Sequence, residues 1–128
     1  MSHSQTFNEI KRFIIVGLFS FIVDIFIYYM LQFFFNFDSS TSKIISFIFG
    51  TTSSYFLNKN YTFKIIKVNK YQITLFFGIY LFSVYLNSEI HDYFIEFTSG
   101  FFAVFCASLI SAIFNFISQK TIIFRKKN

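Results

Sequence analysis

The stretch FLNKNYTFK, residues 56–64, breaks into a chain that is 55 % hydrophobic, and it carries aromatic residues rather than the glycine and proline of an ordinary loop. Laid over residues 113–125, IFNFISQKTIIFR, so that Phe63 meets Phe124 at an offset of 61, it brings Asn58 onto Gln119, Lys59 onto Lys120 and Lys64 onto Arg125. The same offset runs back into the segments that precede both stretches. Ser42, Ser46, Gly50, Ser54 and Asn58 follow one another at intervals of four, and so do Ala103, Ala107, Ser111, Asn115 and Gln119. Residues four apart share one helix face, and a stripe of small residues lets helices approach closely in lipid, where packing drives association. Two helices therefore end alike, each small-residue stripe running out into an amide and a lysine.

The rest of the composition agrees with a lipid setting. Charged residues make up 13 % of the 128 residues, about half the share in a soluble domain. Four apolar blocks hold the excess: Phe13 to Phe35, Ile44 to Leu57, Tyr71 to Leu86 and Phe97 to Ile117. The first and last are long enough to cross a hydrocarbon core of ~30 Å, and the middle two reach that length with their polar flanks. The expected fold is an all-α integral membrane protein of one domain, residues 1–128. It has four transmembrane helices at about 11–35, 41–60, 70–88 and 97–120, arranged as two parallel-repeat helical hairpins. A cleaved signal peptide does not fit the first block, which is too long, holds Asp24 at its centre and lacks a small-residue cleavage site. With no proline in the chain, no helix has a marked kink point.

Basic residues set the orientation. The amino-terminal tail has Lys11 and Arg12, the first loop Lys43, and the second loop Lys59, Lys64, Lys67 and Lys70. The third loop has none, and the carboxy-terminal tail has Lys120, Arg125, Lys126 and Lys127. By the positive-inside rule both termini and the FLNKNYTFK loop lie in the cytoplasm, in a multi-pass protein of the cell membrane. Basic groups packed at helix ends point to anionic membrane lipids as partners for the net charge of +5, and not to nucleic acid.

Asp24 lies about 16 Å into the first span, near mid-membrane, where a carboxylate costs roughly 2.5–3.5 kcal/mol on insertion scales. It should face the bundle interior and be paired, protonated or wet. Gly17, Ser20 and Tyr28 share its face, so Asp24 either bonds a neighbour such as Ser20 or Tyr28, carries a proton, or hydrogen-bonds polar cargo passing the midplane. Lys59 and Lys120 read either as snorkelling interfacial lysines or as functional cations. Gln32 and His91 read as solvated interfacial residues, and Glu89, Asp92 and Glu96 as a solvated acidic run. Cys106, the one cysteine, reads as a packing thiol, and neither a disulfide nor a cysteine-based zinc site can form. No catalytic constellation, metal site or phosphate-cradling glycine loop is visible, so no enzyme activity and no cofactor are expected.

The residues Lys11-Arg12-Phe13-x-x-x-Gly17, Asp24, Phe56-x-Asn58-Lys59-x-Tyr61-Thr62-Phe63 and Asn115-Phe116-x-x-x-Lys120-x-x-x-Phe124 resemble the GtrA family of small four-helix membrane proteins over roughly residues 9–126. Two features depart from the family pattern: Tyr61 stands where tryptophan is frequent, and Lys70-Tyr71-Gln72 where the third helix often opens on arginines. The resemblance implies translocation of a polyprenyl-phosphate-linked monosaccharide for cell-surface polysaccharide or teichoic-acid glycosylation, with membrane glycosyltransferases as partners. Arg12, Lys59 and Lys120 would then meet the lipid phosphate. Asn58, Asn115 and Gln119 would donate hydrogen bonds to phosphate or sugar, and Asp24 would line the sugar's track. Two other readings stay open: a non-transporting partner of a polyprenyl-phosphate glycosyltransferase, and a small proton-coupled cation exporter. A homodimer or larger assembly is expected because four helices enclose little volume.

Overall fold

The computed structural model describes residues 3–125, apart from the side chains of Ser40 and Val104; Lys126 and Lys127 of the basic tail lie outside the described residues. The described chain is helical, in the order α1 (His3–Phe35), α2 (Ser39–Leu57), α3 (Lys70–Ile95) and α4 (Gly100–Ser118). A five-residue π turn extends α2 at Asn58–Thr62, and a second extends α4 at Gln119–Ile123. The chain forms two compact units, Met1–Ile66 and Lys67–Asn128, each a helical hairpin.

The 61-residue repeat is exact in the backbone of the second half of each hairpin. Adding 61 to the bounds of α2, 39 and 57, gives those of α4, 100 and 118, and the same step carries 58–62 onto 119–123. Even the N-caps correspond. The Asp38 carboxylate accepts the Thr41 N–H at 2.8 Å, and at the matching position the Ser99 hydroxyl accepts the Phe102 N–H at 3.4 Å. Both helices then loosen at the same place. The N–H of Phe63 reaches the Asn58 carbonyl at 2.8 Å, and that of Phe124 reaches the Gln119 carbonyl at 2.7 Å, five residues back rather than four. A chain without proline thus has its helices altered at two points, by π turns.

Several helix ends differ from the expected ones. α1 begins at His3 rather than near residue 11, and α3 runs on to Ile95 rather than stopping near 88, taking Glu89, His91 and Asp92 into the helix. A run of polar residues does not by itself end a helix where no capping or breaking residue stands. α4 begins at Gly100 rather than 97 because Ser99 caps it. The start of α3 is set by a reciprocal cap, in which Asn69 and Gln72 each accept the other's backbone N–H at 2.8 Å.

Among the described residues, three helical segments are long and apolar enough to cross a membrane: His3–Phe35, Lys70–Ile95 and Gly100–Ile123. α2 falls short because nine of its 19 residues are serine or threonine. Ser42, Ser46, Thr51 and Ser54 are buried, while Ile44, Ile48, Phe49 and Phe56 are exposed, so the hydroxyl face is covered and the apolar face is outward. α2 packs along α1, and the approach is close at Gly50. A Cβ there would lie 3.1 Å from both the Asp24 Cβ and the Ser20 carbonyl oxygen. Gly17 and Gly78, by contrast, face open space.

Non-glycine residues in the left-handed region terminate two segments, Asn36 after α1 and Lys64 after the first π turn, both at φ 54°. In each case the next N–H reaches six residues back, Phe37 to Leu31 at 3.1 Å and Ile65 to Lys59 at 2.8 Å. Asparagine tolerates this conformation; for Lys64 it costs about 1–2 kcal/mol.

Gly50→Val is expected to lower stability by about 1–3 kcal/mol, because the backbone carbonyl of Ser20 cannot yield to the added carbons. Gly78→Ala, meeting nothing, should change it by less than about 0.5 kcal/mol. Thermal unfolding of the two variants in detergent checks the contrast. Thr62→Val keeps the shape at a buried site but removes the hydroxyl that serves Asn58, and should cost about 1–3 kcal/mol in the same measurement.

Candidate functional site

Each hairpin closes on its π turn, and the residues there differ in how far their polar groups are used. In the first hairpin Asn58 is 1 % exposed. Its amide nitrogen donates to the Ser54 hydroxyl at 3.2 Å, and its amide oxygen accepts from the Thr62 hydroxyl at 2.9 Å. The sequence left Asn58 between a ligand role and a structural one; its side chain is engaged on both sides within the turn. Lys59 follows it, half-exposed. The guanidinium of Arg12 lies over the ring of Tyr61 at 5.5 Å, which joins α1 to the π turn by a cation–π contact. Tyr61 thereby presents the aromatic face that a tryptophan would present at that position. One turn before Arg12, Glu9 is buried. Sequence reading missed this carboxyl because it lies in a polar segment taken for a tail.

The second hairpin has the same backbone and a different polar state. Gln119 occupies the place of Asn58 and is 2 % exposed, yet its amide oxygen has no hydrogen-bond partner among the described residues. Where the first turn has Thr62, the second has Ile123, which carries no hydroxyl to donate. One and two turns earlier on the same face, Asn115 donates to the Ser83 hydroxyl at 2.7 Å, while its own oxygen and the buried hydroxyl of Ser111 also lack partners among the described residues. Lys120 stands beside this stripe with its ammonium over the ring of Phe116 at 5.6 Å. Gln72, at the start of α3, donates to the Ile123 carbonyl at 2.6 Å. Gln72 thereby ties α3 to the second turn.

Midway along the first hairpin, level with Gly50, Asp24 has a partner that neither Ser20 nor Tyr28 supplies. Its Oδ2 accepts from the Lys43 ammonium of α2 at 2.7 Å, and Tyr28 instead bonds the Ser39 hydroxyl at 2.7 Å. Lys43 had been counted only as a loop charge. A lone acid on one helix and a lone base on the next were the available signal.

Of the seven residues singled out from sequence, Arg12, Asn58 and Lys59 gather at the π-turn end of the first hairpin. Asp24 is paired further along it. Asn115, Gln119 and Lys120 share the end of the second. The described residues include no group of three or more histidine, cysteine or acidic side chains placed to hold a metal ion, and Cys106 is half-buried with a free thiol.

Comparison with known families matches residues 12–124 to the family described as GtrA/DPMS, transmembrane domain. Comparisons with curated proteins and with solved structures give no significant match. The match takes in both hairpins and both π turns and covers most of the chain, and three of its helical segments are apolar enough to span a bilayer. This multi-pass membrane protein belongs to the GtrA/DPMS transmembrane-domain family.

Proposed function

We propose that the chain carries a polyprenyl-phosphate-linked monosaccharide across the cytoplasmic membrane, from the inner to the outer leaflet. A separate membrane glycosyltransferase then uses the sugar in cell-surface polysaccharide or teichoic acid. Family membership supports the handling of polyprenyl-phosphate sugars. The observation that carries the reading further is the face of α4 on which Ser111, Asn115 and Gln119 keep buried oxygen atoms without donors among the described residues, beside Lys120.

Unpaired buried acceptors in an apolar surrounding are costly, and a ligand rich in hydroxyl donors relieves them. A monosaccharide is such a ligand. Its phosphate needs cations at the membrane interface, for which Arg12, Lys59 and Lys120 are suited, and its prenyl tail stays in lipid. Asn58 then acts by shaping the turn that presents Lys59, not by contact. The carrier reading leaves the chemistry of transfer to the partner enzyme and assigns no catalytic residue here. It takes α2 as a fourth span, its hydroxyls covered and its isoleucines and phenylalanines facing lipid, with both termini cytoplasmic. Pairing of Asp24 with Lys43 weighs against a cation exporter, whose acid must be open to cationic cargo.

Replacing both interfacial lysines, Lys59→Ala with Lys120→Ala, is expected to abolish transfer of a labelled polyprenyl-phosphate sugar in proteoliposomes while circular dichroism shows the helices intact. Undiminished transfer by that variant would sink the proposal.

A further inference from the structure

Lys43 and Asp24 form an ion pair that is open on one side and closed on the other. The Lys43 side chain is 58 % exposed and the Asp24 side chain 16 %. The contact is a single N–O approach of 2.7 Å, and the second carboxylate oxygen, Oδ1, is buried with no partner among the described residues. An ammonium has three donors, so this pairing leaves Lys43 capacity to spare. The two partners also differ in freedom. Asp24 is held at the close approach of α1 and α2, its Cβ 3.1 Å from where a Cβ on Gly50 would stand. Lys43 reaches it on a flexible four-carbon stem that can swing away.

Position gives this pair a further meaning. Lys43 lies in the first turns of α2 and Lys59 in the π turn that ends it, sixteen residues later. At 1.5 Å per residue that is about 24 Å, most of a ~30 Å hydrocarbon core. No other lysine or arginine lies between Arg12 and Lys59 in the chain.

We propose that Lys43 is a second phosphate-binding group, at the far end of the first hairpin from Lys59, and that Asp24 is the internal counter-ion that occupies it until a phosphate arrives. This rests on the carrier reading. A lipid phosphate leaving the lysine at one end of the hairpin meets a lysine at the other, and it displaces a carboxylate that cannot follow the ammonium outward. Asp24 is on this account a positioning residue, competing with the ligand for the same cation.

The test is equilibrium binding of geranyl phosphate to the purified full chain in detergent. Asp24→Asn removes the competitor and should tighten binding about two- to fivefold, the worth of a single-contact ion pair whose base is more than half exposed. Asp24→Ala, smaller at the Gly50 contact, is a second neutral variant with the same expected result. The double variant Asp24→Asn with Lys43→Gln should lose the gain, and Asp24→Asn with Lys43→Arg should keep it. Inorganic phosphate, run in parallel, identifies the source. An equal gain assigns free phosphate, and a gain confined to geranyl phosphate assigns a membrane-borne lipid. If neither neutral variant tightens binding, or if Lys43→Gln leaves the gain in place, the pair is merely a structural brace and the assignment is overturned. Because the readout is binding, it can fail while the Lys59 and Lys120 transfer assay succeeds, or the reverse.

Discussion

A backbone hydrogen bond one residue longer than the helical one closes each hairpin: Phe63 to the Asn58 carbonyl, and Phe124 to that of Gln119. Much of what is distinctive about this chain depends on that pair of π turns. Each turn buries the amide residue that begins it and an aromatic residue that ends it, and leaves a lysine half-exposed beside the amide. In a bilayer such a break in helical pairing is tolerated only where the freed groups find partners. Here the Asn58 and Gln119 N–H groups each reach two carbonyls, and the turn itself takes up the next N–H. π turns recur at functional sites because they aim side chains that a regular helix would place elsewhere.

The two hairpins share this backbone without sharing its chemistry. Thr62 completes the hydrogen bonding of Asn58; Ile123, at the corresponding place, leaves Gln119 with an acceptor unused. At the offset of 61 Asp24 falls on Tyr85 and Lys43 on Val104, neither of them charged, and the contact between α3 and α4 at Ser83 and Asn115 is a neutral one. One repeat is therefore internally satisfied at its π turn and charged further along. The other keeps spare acceptors at the turn and carries no ion pair of that kind among the described residues.

Much of the fold was legible from residue order. The interval of 61 and the four-residue spacing of small residues located α2 and α4, because helix contact in lipid demands small side chains on one face. The start of α1 and the far end of α3 lie beyond the expected residues, since a polar segment with nothing to break it stays helical. Of the candidate site, the lysine and amide ends were visible in the repeat. Glu9, Gln72 and Lys43 were not, as their significance lies in contacts or burial that no local pattern encodes.

Residue order alone thus settled the helical, membrane-embedded character, the twofold repeat and the cationic ends, all properties of composition and period. Which polar groups are spent and which are spare was settled by folding. That Asn58 is satisfied and Gln119 is not, and that Asp24 meets Lys43 across 19 residues, depends on distances between side chains on different turns and helices. Hydrogen bonds and ion pairs act within about 3 Å, and only a folded chain brings groups that close.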